Sequence, residues 1–353
     1  MLHLYTNSGG RNHFKKSERI NGRLVEWSIA LALKARGPKG SVGSNPTPSA
    51  TLETQMNDTA IVTCFYTGLY GSKYGGRLGR ESHYLHSLAS LLKITNADFF
   101  IYCDPEQEAM LKECVEPLAR SQVTIVPQSL EEFYMKDLFD QYKNFTEAES
   151  SQRCQEIQYL KSCWMGYTQN YDWVFWFDIG ISYSGLLPDK YMLPRDDDSI
   201  EYYNSSLICD ELIEGLKRTA DDKFLFMAIN NVYPATYRLF VDKYYPKQSD
   251  SKDYHVIAGI LGGRRNKVER FHSMFNDLAI EVTEHCKEVY DEECIYQILW
   301  DSTPEFFNVE KFECWWHEDN AHSIYEEDHR MIEVIKSLRS FYKVLEDLIE
   351  AGK

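Results

Sequence analysis

The sequence predicts an α/β protein built on a mixed, mostly parallel sheet with helices on both faces. Three observations carry this expectation. Between Ile61 and Val126, short runs rich in β-branched and aromatic residues alternate with stretches of helical spacing, the pattern of repeated β-α-β units. The stretch Tyr171–Pro188, YDWVFWFDIGISYSGLLP, holds an apolar run bounded by turn residues, as expected of a strand buried on both faces. That run breaks off at one carboxylate, Asp178, with Gly180 two residues on. In open α/β sheets ligands sit beyond the carboxyl ends of such strands, and a carboxylate there needs a cation, backbone N–H groups or a ligand to meet its charge. Gly180 allows a positive φ or a close approach to the backbone.

Composition sets the outer bounds. The chain has 353 residues, 43% of them apolar, enough for one large core or two smaller ones. A formal net charge of −16 argues against nucleic acid or an anionic membrane as partner, since both call for clustered Lys and Arg. The nine cysteines form no CxxC pair, so they are expected to be reduced thiols in a cytoplasmic protein. No apolar stretch is long enough to span a bilayer, and the first residues lack the zones of a secretory leader.

Met1–Gln55 stands apart. It is basic and turn-rich, and Gly37–Ala50 reads GPKGSVGSNPTPSA, a composition that buries no core, so the segment is expected to be disordered. The tetrapeptide Gly43–Pro46 is encodable by GGTTCGAATCC, the T-arm of a tRNA gene, which raises the expectation of a spurious extension with translation starting at Met56. A genuine flexible tail is the alternative. Mass spectrometry of the native protein that found peptides from Ser41–Gln55 would exclude the spurious start.

From Ile61 the elements follow in order. Ile61–Tyr66 has strand composition, Glu81–Lys93 is helical with Leu85, Leu88, Leu91 and Leu92 on its spacing, and Asp98–Cys103 is a second strand. Pro105–Leu118 reads as a helix with Asp104 as N-cap and Pro105 in the first turn. Val123–Val126 is a third strand, Ser129–Tyr142 a helix, and Gln155–Tyr167 the helix that feeds the central strand. Further on, Phe224–Ile229 and Tyr254–Gly263 are strands, the second closing on Gly262 and Gly263, and Lys267–Tyr290 and Asp291–Trp300 are helical. Phe306–Trp316 holds a short strand, and Glu326–Ile349 is a long amphipathic helix. Nothing marks a linker or repeat after Met56, so residues 56–353 are expected to form a single domain.

The order of these parts resembles the GT-A nucleotide-sugar glycosyltransferases, and within them looks most like the HtrL/YibB-type bacterial proteins. The likeness runs from about Ile61 to Trp316 as an ordered pattern: a β-α-β half, a hydrophobic strand ending on an acid, a strand ending Gly-Gly, and a helix opening with Asp and Glu. It implies a GT-A-like fold and transfer of a sugar from a nucleoside diphosphate donor to a glycan or lipid-linked acceptor, as in surface polysaccharide synthesis. In that family the central strand usually ends Asp-x-Asp, holding a divalent metal on the donor diphosphate. Here the place reads Asp178-Ile179-Gly180, so the second carboxylate is missing and a Mn²⁺ or Mg²⁺ ion would rest on Asp178, with His317 as a further candidate ligand. By the same resemblance Lys161 matches a basic position, Gly262 and Gly263 match a Gly-Gly turn on the acceptor side, and Asp291, Glu292 and Glu293 match an acidic pair near the reacting sugar.

The chemistry of glycosyl transfer fits these residue types. A departing sugar gains positive character while the leaving phosphate gains negative charge, which calls for a carboxylate on one side and cations on the other. Glu292 and Asp291 are the candidate catalytic acids. Tyr66 is a candidate for stacking on the nucleobase, and Arg77 and Arg80, in a glycine-rich loop without P-loop spacing, for the diphosphate. Each residue has a plainer alternative. Asp178 can cap a turn, Tyr66 can pack in the core, Arg77 and Arg80 can be solvated, and Lys161 can pair with Glu156 or Asp172. Asp291–Glu293 can satisfy a helix dipole, and His317 can be structural. Trp315 and Trp316 can stack on a sugar or pack, and Asp196–Asp198 reads as a solvated loop. The rival function is a non-catalytic binding protein of the same fold.

Overall fold

The strands are where β-branched and aromatic residues concentrate, and in the computed structural model β1 (Thr59–Phe65) is buried at every position. The structure describes residues 57–67, 80–142, 149–168, 170–180, 208–230, 254–312 and 343–353. The expectations for Met1–Gln55, Asp196–Asp198, Trp315, Trp316 and the first part of the last helix lie outside them. From Met56 onward the chain forms one compact unit.

Chain order runs β1, α1 (Arg80–Leu91), β2 (Asp98–Cys103), α2 (Glu108–Val115), β3 (Val123–Pro127), α3 (Lys136–Gln141), α4 (Glu149–Tyr167) and β4 (Trp173–Phe177). Next come α5 (Asp210–Ala220), β5 (Phe224–Asn230), β6 (Tyr254–Arg264), α6 (Arg265–Cys286), α7 (Glu292–Ser302) and β7 (Phe307–Phe312). A last helix, α8, covers residues 343–352.

The strands form one seven-stranded sheet in the order β3-β2-β1-β4-β6-β5-β7. β3, β2, β1 and β4 are mutually parallel, β6 is antiparallel to both neighbours, and β7 is parallel to β5. The sheet is therefore mixed and mostly parallel, as expected. Alternate residues face opposite ways: Val62, Cys64, Val174 and Trp176 join the core under α4, α6 and α7, while Ile61, Phe65, Phe175 and Phe177 join that under α1, α2, α5 and α8. Helices cover both faces. The chain steps outward from β1 to β2 and β3, then returns to place β4 on the other side of β1, so the direction of winding reverses between β1 and β4. In open α/β sheets ligands bind at such a switch point, beyond the carboxyl ends of the strands.

Several boundaries differ from expectation. Pro105–Gln107 is a 3₁₀ turn before α2, and Asp104 makes no side-chain cap, its carboxylate being engaged by Arg153. Ser129–Tyr142 is split into a 3₁₀ turn, Leu130–Glu132, and α3. Lys267–Tyr290 and Asp291–Trp300 are separated by Lys287 in the left-handed region, φ 58°. The Gly262-Gly263 pair is not a turn. Both residues lie inside β6, where Gly262 faces Phe175 of β4 and Leu225 of β5. Their φ values, 148° and 157°, favour glycine, and a Cβ on Gly262 would fall 2.3 Å from Val174 O. Glycine is needed because three strands approach too closely for a side chain.

Candidate functional site

Asp178 stands one residue past β4, its N–H bonded to Gly259 O of β6 at 2.8 Å. Its carboxylate is anchored through one oxygen. Trp176 Nε1 donates to Oδ1 at 2.7 Å, and Lys161 Nζ lies 3.2 Å from the same atom. The Asp178 side chain is 43% exposed while that of Lys161 is 2% exposed, so the ammonium lies beneath the carboxylate. Oδ2 has no partner among the described residues.

Lys161 comes from the middle of α4, which passes across the sheet toward the start of β4. It also lies 3.3 Å from Glu292 Oε1 and 5.3 Å above the Trp176 ring. Below it, Trp176, Trp164 and Tyr102 form a stacked aromatic slab, with centroids 6.0 Å and 4.7 Å apart, and Trp164 Nε1 donates to Gln128 Oε1 at 2.7 Å. Burial works against the Lys161 charge, but the carboxylates of Asp178 and Glu292 outweigh it and hold the ammonium well above its ordinary range. Burial, with the Asp291 carboxylate beside it, pushes Glu292 well above the usual carboxylate range, against the pull of Lys161. Lys161 thus keeps its proton, and Asp178 is its solvent-facing counterion. The pairing with Glu156 or Asp172 does not occur, because Glu156 is bonded to Lys136 at 2.8 Å.

The other expected site residues fall into three groups. Glu292 converges on Lys161 but is 3% exposed, too deeply covered to reach a sugar. Asp291 is the N-cap of α7, its side chain accepting from Glu293 N at 3.1 Å, which is the dipole role. Tyr66 is buried, stacked on Trp164 at 5.9 Å and donating to Gln128 O at 3.0 Å, so its ring packs in the core and offers no face to a base. Gly180 has no positive φ. Its open side is filled by Tyr84 of α1, and an added Cβ would meet Cε1 at 2.9 Å. Gly262 and Gly263 sit in β6 level with Phe175 and Val174, three and four residues before Asp178. Arg77 and His317 lie outside the described residues, and Arg80 begins α1 with its side chain outside them.

Sequence reasoning missed the parts played by Trp176 and Trp164, and placed Glu293 only in the acidic start of α7. Glu293 Oε1 accepts from Ala258 N at 3.0 Å. A tryptophan two residues before the strand-end acid and another three residues after Lys161 were the available signals.

Among the described residues, those around Asp178 do not make up a metal site. A divalent cation takes several oxygen or nitrogen ligands. Asp178 offers one oxygen, the other being engaged by Trp176 and Lys161, and the described residues contain no group of three or more His, Cys, Asp or Glu placed to hold an ion. The Tyr84 ring fills the space into which a second carboxylate at position 180 would project.

No helix among the described residues is long and apolar enough to cross a membrane. No family model matches the sequence, and no curated protein matches it. Among solved structures the chain is similar to apo mouse xyloside xylosyltransferase 1, at a TM-score of 0.42 and 12% identity, over 73% of this chain and 86% of that one. A likeness at that level carries no argument about activity, and none of these comparisons touches the finer resemblance to the HtrL/YibB-type proteins.

Proposed function

We propose that the chain is a GT-A-like glycosyltransferase that moves a sugar from a nucleoside diphosphate donor to a glycan or lipid-linked acceptor, in surface polysaccharide synthesis. The observation that carries this reading is the placement of Asp178. An exposed carboxylate sits at the carboxyl end of the strand beside the β1/β4 switch point, where ligands of open α/β sheets bind. A buried lysine, shared with Glu292, lies beneath it and supports its charge. Perturbed ionisable groups gathered at such a place mark functional sites more often than packing does.

A second reading is favoured by the burial of Glu292 and the capping role of Asp291. With Glu292 buried and Asp291 committed to the helix cap, the second reading is a protein that binds a nucleotide sugar without turning it over. Calorimetric titration with UDP, GDP, UDP-glucose, UDP-galactose and GDP-mannose, paired with assay of nucleotide release, separates the two. Transfer or slow donor hydrolysis supports the enzyme, and binding without release supports the second reading. If none of these nucleotides binds, both readings fall.

A further inference from the structure

We infer that Asp178 meets the sugar of its ligand directly, accepting a hydroxyl hydrogen bond on Oδ2, with no divalent cation between them. This rests on the nucleotide-sugar reading above and specifies what the strand-end carboxylate does there. Three features of the site lead to it.

The positive charge that a strand-end carboxylate requires is already present as part of the chain. Lys161 Nζ is 3.2 Å from Oδ1 and is enclosed by Asp178, Glu292 and the Trp176 ring. A dication on Oδ2 would compete with that ammonium for the same carboxylate. Among the described residues the donor set is also too small. Oδ1 accepts from Trp176 Nε1 at 2.7 Å, and position 180 is a glycine, with no carboxylate to add.

The remaining oxygen is directed by this anchoring. With Oδ1 held by an indole and an ammonium, the carboxylate cannot rotate freely, and Oδ2 is a preorganised acceptor on a side chain that is 43% exposed. Oδ2 is an acceptor only, as phosphate oxygens are, so without a bridging cation it has no bond to offer a diphosphate. A neutral polyol suits it: a sugar hydroxyl donates a hydrogen bond to a charged acceptor, the stronger class of such bonds. The contact therefore belongs to the sugar half of the donor.

The test is a titration of the parent chain and Asp178→Asn, with UDP, GDP, UDP-glucose, UDP-galactose and GDP-mannose, each in Mn²⁺ and in EDTA. The amide keeps the shape and an acceptor for Trp176 but loses the charge. For the parent, nucleotide-sugar affinity should be the same within about two-fold in Mn²⁺ and EDTA. Asp178→Asn should weaken the nucleotide sugar about ten-fold or more in both media, while changing the bare nucleotide by less than about two-fold. Parent binding that collapses in EDTA, or an Asp178→Asn loss that is as large for bare UDP or GDP as for the sugars, overturns the direct contact and leaves the nucleotide-sugar reading standing. Failure of every nucleotide to bind the parent overturns that reading itself.

Discussion

Glu293 Oε1 accepts a hydrogen bond from the backbone N–H of Ala258 at 3.0 Å, and one turn on, Gln297 Oε1 accepts from Val256 N at 3.1 Å. The two side chains of α7 do what a strand would otherwise do. Tyr254–Ile257 pair with β5 on one side, but β4 has ended by Phe177, whose partner is Ile260. The register between β5 and β6 also shifts between Leu225 and Met227. Helix α7 covers the resulting gap beside Asp178 and supplies acceptors for the exposed edge.

Glu293→Leu should therefore cost about 1–3 kcal/mol in chemical denaturation, because it leaves a buried N–H without an acceptor. Glu293→Gln, which keeps a carbonyl oxygen in place, should stay within about 1 kcal/mol of the parent. Equal losses in both variants would show that the charge, not the acceptor, is what matters.

The buried Lys161 makes a sharper case. Lys161→Met removes the counterion of Glu292 in a site sealed from water, and breaking a buried pair by deleting one partner costs about 3–5 kcal/mol. Glu292→Leu in the same chain removes the orphaned acid and should restore most of the loss, since Asp178, 43% exposed, can be hydrated. A double variant no more stable than Lys161→Met would mean that the orphaned Glu292 is not the source of the loss.

These networks explain what could be read from the sequence. The sheet was legible because β1, β2, β4 and β5 are mostly apolar runs and their order alternates with helical spacing, a local signal. Asp178 was legible because a single acid interrupts such a run, and Lys161 because it matches a basic position of the family the chain resembles. What the sequence hid is whatever depends on distant parts meeting. That Glu292 faces Lys161 and not solvent is decided by how α7 packs on α4, 131 residues apart in the chain. Tyr66 follows an apolar strand whether it stacks on a base or on Trp164. Gly262 and Gly263 end an apolar run whether they turn or continue between two strands, and only the register with Val174 and Phe175 separates the cases.

His272 gives the fold a dependence on acid. It sits on α6 with Nδ1 3.3 Å from Ser162 Oγ and both ring nitrogens 3.1 Å from Asn276 Nδ2, and burial pushes it down to about 4. In the unfolded chain a histidine titrates near 6.5. Above that value both states are neutral and nothing is lost. Between about 6.5 and 4 the unfolded chain binds a proton that the folded protein refuses, so stability falls as pH falls and levels off below about 4. Going from pH 7 to 4.5 should cost about 2–3 kcal/mol from this residue. His272→Gln should reduce the acid loss by that amount, and an unchanged difference between the two pH values would show that His272 is free to protonate in the fold.

Gly262 decides between two roles for the Gly-Gly pair. As part of an acceptor-side turn, its replacement would alter ligand binding and leave the sheet intact. As a strand residue at φ 148°, facing Phe175 and Leu225, it has no room for a side chain: a Cβ would lie 2.3 Å from Val174 O and 2.7 Å from Phe175 Cα. Those are backbone atoms of the central strand, which cannot yield without breaking the β4–β6 ladder. Gly262→Ala should then destabilise the protein by about 3 kcal/mol or more, from positive-φ strain and the overlap together. The part that remains folded should bind nucleotide as the parent does, because Gly262 is level with Phe175, well inside the sheet from Asp178. Hydrogen exchange should show faster opening of Trp173–Phe177 and Tyr254–Arg264 before the parallel half of the sheet. A variant of parental stability with altered nucleotide-sugar affinity would instead return the pair to the acceptor side.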